Sequence, residues 1–135
     1  MGLMLSVYLH LLKEIQQQAR LTLIFVTHDF GIVAQMCDWV AVMYAGNIVE
    51  MATTRELFNY PLHPYTSALM ESVPKVEMKV AKLVSIEGQP PLYSLPAGCS
   101  FAPRCNLREE RCRSSPPEVK VRMDHRVRCW KYAQG

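Results

Sequence analysis

Residues 21–27, Leu-Thr-Leu-Ile-Phe-Val-Thr, form an unbroken apolar run rich in β-branched side chains. A strand covered on both faces has this character, whereas a half-exposed strand alternates between apolar and polar residues. The run therefore predicts a buried strand of a parallel α/β sheet, with His28 and Asp29 just past its carboxyl end. Ligands of open α/β sheets bind at that end, so the His-Asp pair is a candidate site. By position alone, a satisfied loop residue accounts for His28 more readily than a site residue does.

The flanking segments fit the same fold class. Leu5, Leu9, Leu12 and Ile15 recur at steps of three and four, which predicts a helix over residues 3–19 that ends near Arg20. Phe30 to Trp39 suits a short helix burying Ile32, Val33 and Met36, with Cys37 as a small core residue. Trp39 to Ala52 reads as two strands around Ala45-Gly46-Asn47, since a Gly-Asn pair favours a tight hairpin. Thr53 or Thr54 is placed to cap a helix through Arg55, Glu56 and Leu57 that Pro61 stops. A further helix follows His63, with Pro64 in its first turn and Pro74 after its end. Beyond Lys75 the pattern predicts an extended connection with one strand at Lys82 to Ile86, because Pro90, Pro91 and Pro96 forbid long regular elements. This gives two parts, residues 1–74 and residues 75–135.

Charge and cysteine follow that division. Residues 1–98 carry 6 basic and 8 acidic side chains, whereas residues 99–135 carry 9 and 4. The basic tail lacks the interleaved aromatic residues of a single-strand binder, so nucleic acid is not the expected partner. The longest apolar runs fall short of the roughly 20 residues that cross a bilayer as a helix, so no transmembrane segment is expected. The start of the chain has no basic residue before Lys13 and no small-residue cleavage site, which argues against a signal peptide.

Four cysteines lie within 31 residues of the tail, spaced Cys99-x5-Cys105-x6-Cys112-x16-Cys129. Disulfides suit an oxidising compartment, for which the sequence gives no signal. Zinc would use four thiolates, usually with a tight C-x2-4-C pair that is absent here. An iron–sulfur cluster also takes four thiolates and tolerates wider spacing. Spacing leaves zinc and iron–sulfur level, with unligated thiols close behind. His125 could stand in for one cysteine, yet four thiolates already complete a site; His63, before a helix, is expected to order a turn.

The segment TLIFVTHDFGIVAQMCDWVAVMYAGNIVE resembles the switch-histidine region of ABC transporter ATPases and its following strands. ELFNYPLHPYTSALMESVP, built on His63-Pro64-Tyr65-Thr66, is similar to the segment that marks the ATP-binding subunits of oligopeptide and dipeptide importers. GCSFAPRC and the later cysteines resemble their C-terminal extension, so the likeness covers about residues 11–135. It implies an α/β fold: the C-terminal portion of an ABC-type P-loop nucleotide-binding domain in residues 1–74, then an irregular cysteine-rich appendage in residues 75–135.

The resemblance gives His28 the role of the switch histidine, which contacts the γ-phosphate of ATP, bound with magnesium, and helps hold the attacking water. It implies a four-iron four-sulfur cluster on Cys99, Cys105, Cys112 and Cys129, structural or regulatory in role, with Arg104, Arg111, Arg113 and Arg128 offsetting its charge. The implied partners are membrane permease subunits and a second ATP-binding subunit, at the inner face of the cell membrane. The sequence holds no GxxxxGK[ST] phosphate loop, glutamine loop or LSGG-like signature, and no apolar strand ending in Asp-Glu before residue 21. Phosphoryl transfer needs several such groups together, so the chain alone is expected to be a truncated or fragmentary subunit without ATPase activity. The alternative is a small zinc or iron–sulfur interaction module with no nucleotide function. Loss of covering elements would expose the apolar strand and leave the chain marginally stable or self-associating.

Overall fold

The computed structural model describes residues 3–73, 86, 88–91 and 94–134. The chain divides into two compact units, Met1–Asp38 and Trp39–Gly135.

In the first unit, α1 spans Leu3–Ala19 and α2 spans Phe30–Met36. Leu9 is the buried residue of α1, flanked on its stripe by half-buried Leu5 and Leu12, while Ile15 is exposed. The helix stops at Arg20, whose φ of 51° puts it in the left-handed region, and the Leu21 amide returns to the Gln16 carbonyl at 3.0 Å. That six-to-one bond is the Schellman closure, formed here without glycine. Asp29 caps α2, its Oδ1 accepting from the amides of Gly31 at 2.7 Å and Ile32 at 3.1 Å.

Residues 21–27 are not a strand in this structure. A strand exists by pairing, and no described residue pairs with this segment, so its side chains lack both the ladder and the cover the sequence anticipates. Ile24 and Val26 are 88% and 98% exposed. Helix α2 likewise buries no residue completely, and Cys37 is its half-buried C-cap rather than core.

The second unit holds a four-stranded antiparallel sheet in the order β1-β2-β4-β3, from Trp39–Tyr44 (β1), Asn47–Thr53 (β2), Glu118–Arg122 (β3) and His125–Arg128 (β4). The expected parallel sheet is therefore absent among the described residues. The β1–β2 hairpin turns through Ala45 and Gly46 with φ of 46° and 79°. Two successive positive φ values match the right-handed twist of the flanking strands. The β3–β4 hairpin escaped sequence analysis, and the strand expected at Lys82 to Ile86 lies outside the described residues except for Ile86. Pairing of β4 with β2 joins residues on either side of the expected 74/75 division in one sheet.

Helices α3 (Thr54–Asn59) and α4 (Pro64–Ser72) lie where the sequence placed them; Thr53 caps α3 as read, and His63, expected only to order a turn, caps α4. Thr53 Oγ1 accepts from the Glu56 amide at 3.3 Å, and His63 Nδ1 accepts from the Tyr65 amide at 3.1 Å. The core gathers Val42, Tyr44, Val49, Ala52, Leu57 and Phe101. Phe101, from the tail, stands edge-on to Tyr44 with centroids 5.2 Å apart, so the cysteine-bearing segment shares this core. Leu57 is completely buried. Leu57→Ala should lower unfolding stability by about 2–5 kcal/mol in denaturant titrations, the usual cost of a buried leucine truncation.

Candidate functional site

Across the sheet, Val42, Glu50, Val127 and Val119 stand in register on one face. A carboxylate in that row is costly unless its oxygens are satisfied. Glu50 is 1% exposed and fully engaged. Its Oε1 accepts from the Leu62 amide at 2.8 Å and meets His125 Nε2 at 2.6 Å, while Oε2 accepts from the His63 amide at 2.9 Å. Tyr132 closes the same turn from the chain end, donating its hydroxyl to the Leu62 carbonyl at 3.1 Å. One side chain thus fastens the α3–α4 turn to β2 and β4.

His125 therefore serves as a partner of Glu50, and sequence analysis missed Glu50 altogether. Its Nδ1 faces Glu56 Oε2 at 3.8 Å, and neither atom has a hydrogen-bond partner among the described residues. Arg122 approaches the same Glu56 oxygen at 3.7 Å. His63 orders the turn as expected, and burial lowers its pKa to about 4 against the opposing pull of Glu50. Its imidazole is accordingly neutral, which the cap requires, because Nδ1 must keep its lone pair for the Tyr65 amide.

The four tail cysteines, far apart in sequence, line one cavity together with His63 and Trp130. The cavity offers about 20 Å³ to the centre of a water-sized sphere, room for roughly one water. All five cysteines are free thiols. Burial raises the pKa of Cys99, Cys105 and Cys129, and each also feels neighbouring cysteines of the set. Backbone amides act in the other direction: Phe101 and Ala102 donate toward Cys99, Leu107 toward Cys105 and Lys131 toward Cys129. The Glu109 amide donates to Cys112 Sγ at 3.4 Å. Burial outweighs the nearby amides at Cys99, Cys105 and Cys129, which favours the neutral thiol at these three.

Gly98 permits this convergence, since a Cβ there would collide with the backbone of Cys112 and Arg113. The close approach is fixed by the Cys99 amide donating to the Cys112 carbonyl at 2.9 Å. No three His, Cys, Asp or Glu side chains among the described residues are placed to hold a single metal ion. The sulfurs surround a space rather than closing on the roughly 2.3 Å of one zinc ion.

The arginines expected to offset a cluster are engaged elsewhere. Arg104 donates to Tyr44 Oη at 3.2 Å and to the carbonyls of Ile86 and Gly88 at 3.0 and 2.9 Å. Arg111, Arg113 and Arg128 pair with Glu109, Glu110 and Glu118 at 2.9, 2.8 and 3.9 Å. Alternating charge in the tail makes these local pairs easy to form. His28, in the first unit, is exposed and has no hydrogen bond or ion pair among the described residues. Its neighbour Asp29 is committed to capping α2.

Two outcomes follow for the second unit. Glu50→Ala strands the amides of Leu62 and His63 together with buried His125, and should cost about 3–5 kcal/mol in denaturant unfolding. For His63, the folded pKa of about 4 lies below the ordinary 6.5, so the unfolded chain takes the proton first as pH falls. Stability from this group should be fully present above about pH 6.5 and decline by about 3 kcal/mol on the way to pH 4. Unfolding midpoints across that range should show a flatter decline in His63→Asn.

Residues 49–112 match the family described as "Oligopeptide/dipeptide transporter, C-terminal region". The chain is 47% identical over 124 residues to the dipeptide transport ATP-binding protein DppD of Bacillus subtilis, covering 90% of this chain and 37% of that protein. It is 41% identical over 129 residues to DppD of Caldanaerobacter subterraneus, covering 94% and 40%, and 39% identical over 125 residues to the oligopeptide transport ATP-binding protein OppD of Haemophilus influenzae, covering 92% and 39%. The chain spans about two fifths of the length of these curated relatives. These matches make it a relative of the C-terminal part of peptide ABC transporter ATPases.

Proposed function

We propose that the chain acts as the C-terminal part of the ATP-binding subunit of an oligopeptide or dipeptide ABC importer, with residues 1–74 belonging to the nucleotide-binding domain and residues 75–135 to the peptide-importer extension. The single observation that carries this reading is similarity over nine tenths of the chain to proteins named for that transport. In the assembled subunit, ATP and magnesium bind mainly through segments that this sequence does not contain, and hydrolysis drives the permease subunits, with a second ATP-binding subunit closing the site. The subunit works at the inner face of the cell membrane; no helix among the described residues is long and apolar enough to cross it.

His28 then takes the position of the switch histidine. Its exposure and lack of any partner suit a group that acts only when the γ-phosphate is presented to it. The exposed Ile24 and Val26 support the same reading, because neighbouring strands would cover them. Catalysis of phosphoryl transfer is positioning and electrostatics, so one histidine without its phosphate loop hydrolyses nothing.

Cys99, Cys105, Cys112 and Cys129 are proposed as ligands of a four-iron four-sulfur cluster. Four thiols of the right kind line one cavity, and the Glu109 amide donates to the Cys112 sulfur, which supports this reading. Bound there, the group would supply a redox-sensitive crosslink between the turns that carry the cysteines.

A chimera tests the reading. Joined to the N-terminal three fifths of the Bacillus subtilis relative, in place of that protein's own C-terminal part, the chain should give ATPase activity. His28→Ala in the chimera should reduce it by on the order of 10²-fold, as expected for removal of one group that stabilises the transition state. A folded chimera without ATPase activity, or one indifferent to His28→Ala, would overturn the proposal; stoichiometric metal uptake by such an inactive protein would favour the small metal-binding module.

A further inference from the structure

His28 stands where the chain has little to hold it. Residues 21–27 before it form no ladder with any described residue, and its own side chain is exposed. Helix α2 after it has seven residues, with Gly31 in the first turn and no acidic residue there. A helix this short is not stable by itself, and glycine in its first turn weakens it further. Local bonds must therefore fix the backbone at His28.

Asp29 supplies them with its amide, its side chain and its carbonyl. The amide donates to Thr27 Oγ1 at 3.0 Å, closing a small loop across His28. Oδ1 accepts from the amides of Gly31 at 2.7 Å and Ile32 at 3.1 Å, and the carbonyl accepts from the Val33 amide at 3.2 Å. One bond thus ties the residue after His28 back to the residue before it, and three join it to α2. The backbone of Asp29 is extended, with φ of −91° and ψ of 106°, as an N-cap requires. A free carboxylate beside a phosphate would repel it. This one is turned toward two amides of α2, where the helix dipole also favours a negative charge.

We propose that Asp29 is a positioning residue for the switch histidine, its amide and side chain fixing the backbone from which His28 meets the γ-phosphate. This rests on the reading of His28 as that histidine. Phosphoryl transfer is catalysed by positioning and electrostatics, so a displaced histidine loses rate while ATP, held by other segments, still binds. Asp29 acts through His28 and needs no contact with the nucleotide, since its Oδ1 is already occupied by two amides. The cap of α2 then has two functions, starting the helix and setting the histidine that precedes it.

The test uses the chimera with the Bacillus subtilis relative and, separately, the full chain alone. In the chimera, Asp29→Ala should lower kcat by on the order of 10-fold with KM for ATP unchanged, and Asp29→Asn, which keeps an accepting Oδ1, should restore most of the rate. Combined with His28→Ala, Asp29→Ala should cost nothing further, because the side chain it positions is gone. In the full chain, nitrogen-15 relaxation should give the His28 amide an order parameter close to those of α2, falling in Asp29→Ala and kept in Asp29→Asn. Unchanged kcat in Asp29→Ala, a loss that multiplies in full with that of His28→Ala, or a His28 amide already mobile in the natural sequence would overturn the role of Asp29 while leaving His28 in place. An active chimera indifferent to His28→Ala would overturn the switch reading and this inference with it.

Discussion

The second unit depends on one buried carboxylate. Glu50 sits in a cross-strand row otherwise made of valines, where a carboxyl group is tolerated only with its hydrogen bonds complete. Two amides of the α3–α4 turn and the Nε2 of His125 complete them. The carboxylate and its partners come from three segments separated by up to 75 residues, so it is satisfied only when β2, the turn and β4 are all in place. Hydrophobic packing alone would accept several arrangements of two hairpins and two short helices; the demand for three aligned donors selects one.

The same demand shapes the cysteine cavity. Fixing the His63 amide sets the start of α4 and brings the imidazole to the cavity, while Phe101 anchors the cysteine-bearing turns to Tyr44 and Tyr65. Gly98 then allows the Cys99 and Cys112 segments to touch backbone to backbone. Basic residues nearby are neutralised by glutamates a few positions away, and the sulfurs are addressed by amides instead. The cysteine-rich tail is accordingly an integral part of the sheet unit, in spite of its irregular sequence.

Local signals were well legible in the sequence. The stripe of α1, the hairpin around Ala45-Gly46-Asn47, the Thr53 cap and the turn ordered by His63 depend on neighbouring residues, and the structure follows them, with the turn itself at Ala45-Gly46. Signals that depend on distant partners were not. The run at 21–27 has the composition of a covered strand, yet composition cannot supply the adjoining strands, and the segment stays unpaired. The β3–β4 hairpin was hidden because its alternation is carried by only Val119, Val121 and Val127 among arginines and lysines; the alternating pattern from Glu118 to Arg128 was the available clue. Cysteine count announced a site, but spacing could not show that all four thiols meet. Glu50 was missed because a single acid in an apolar strand reads as a solvent-facing residue unless its partners are known, and His28 was legible only through resemblance.

Glu50 is the fastening point of the second unit, and amide hydrogen exchange measures this most directly. The amides of Leu62 and His63 lie in a turn, outside any helix or strand, and would exchange quickly if solvent reached them. Bound to a buried carboxylate, they should exchange as slowly as the β4 amide of Val127 and share its opening free energy. Exchange of Leu62 and His63 at the rates of exposed loop amides, with Val127 still protected, would contradict the central claim.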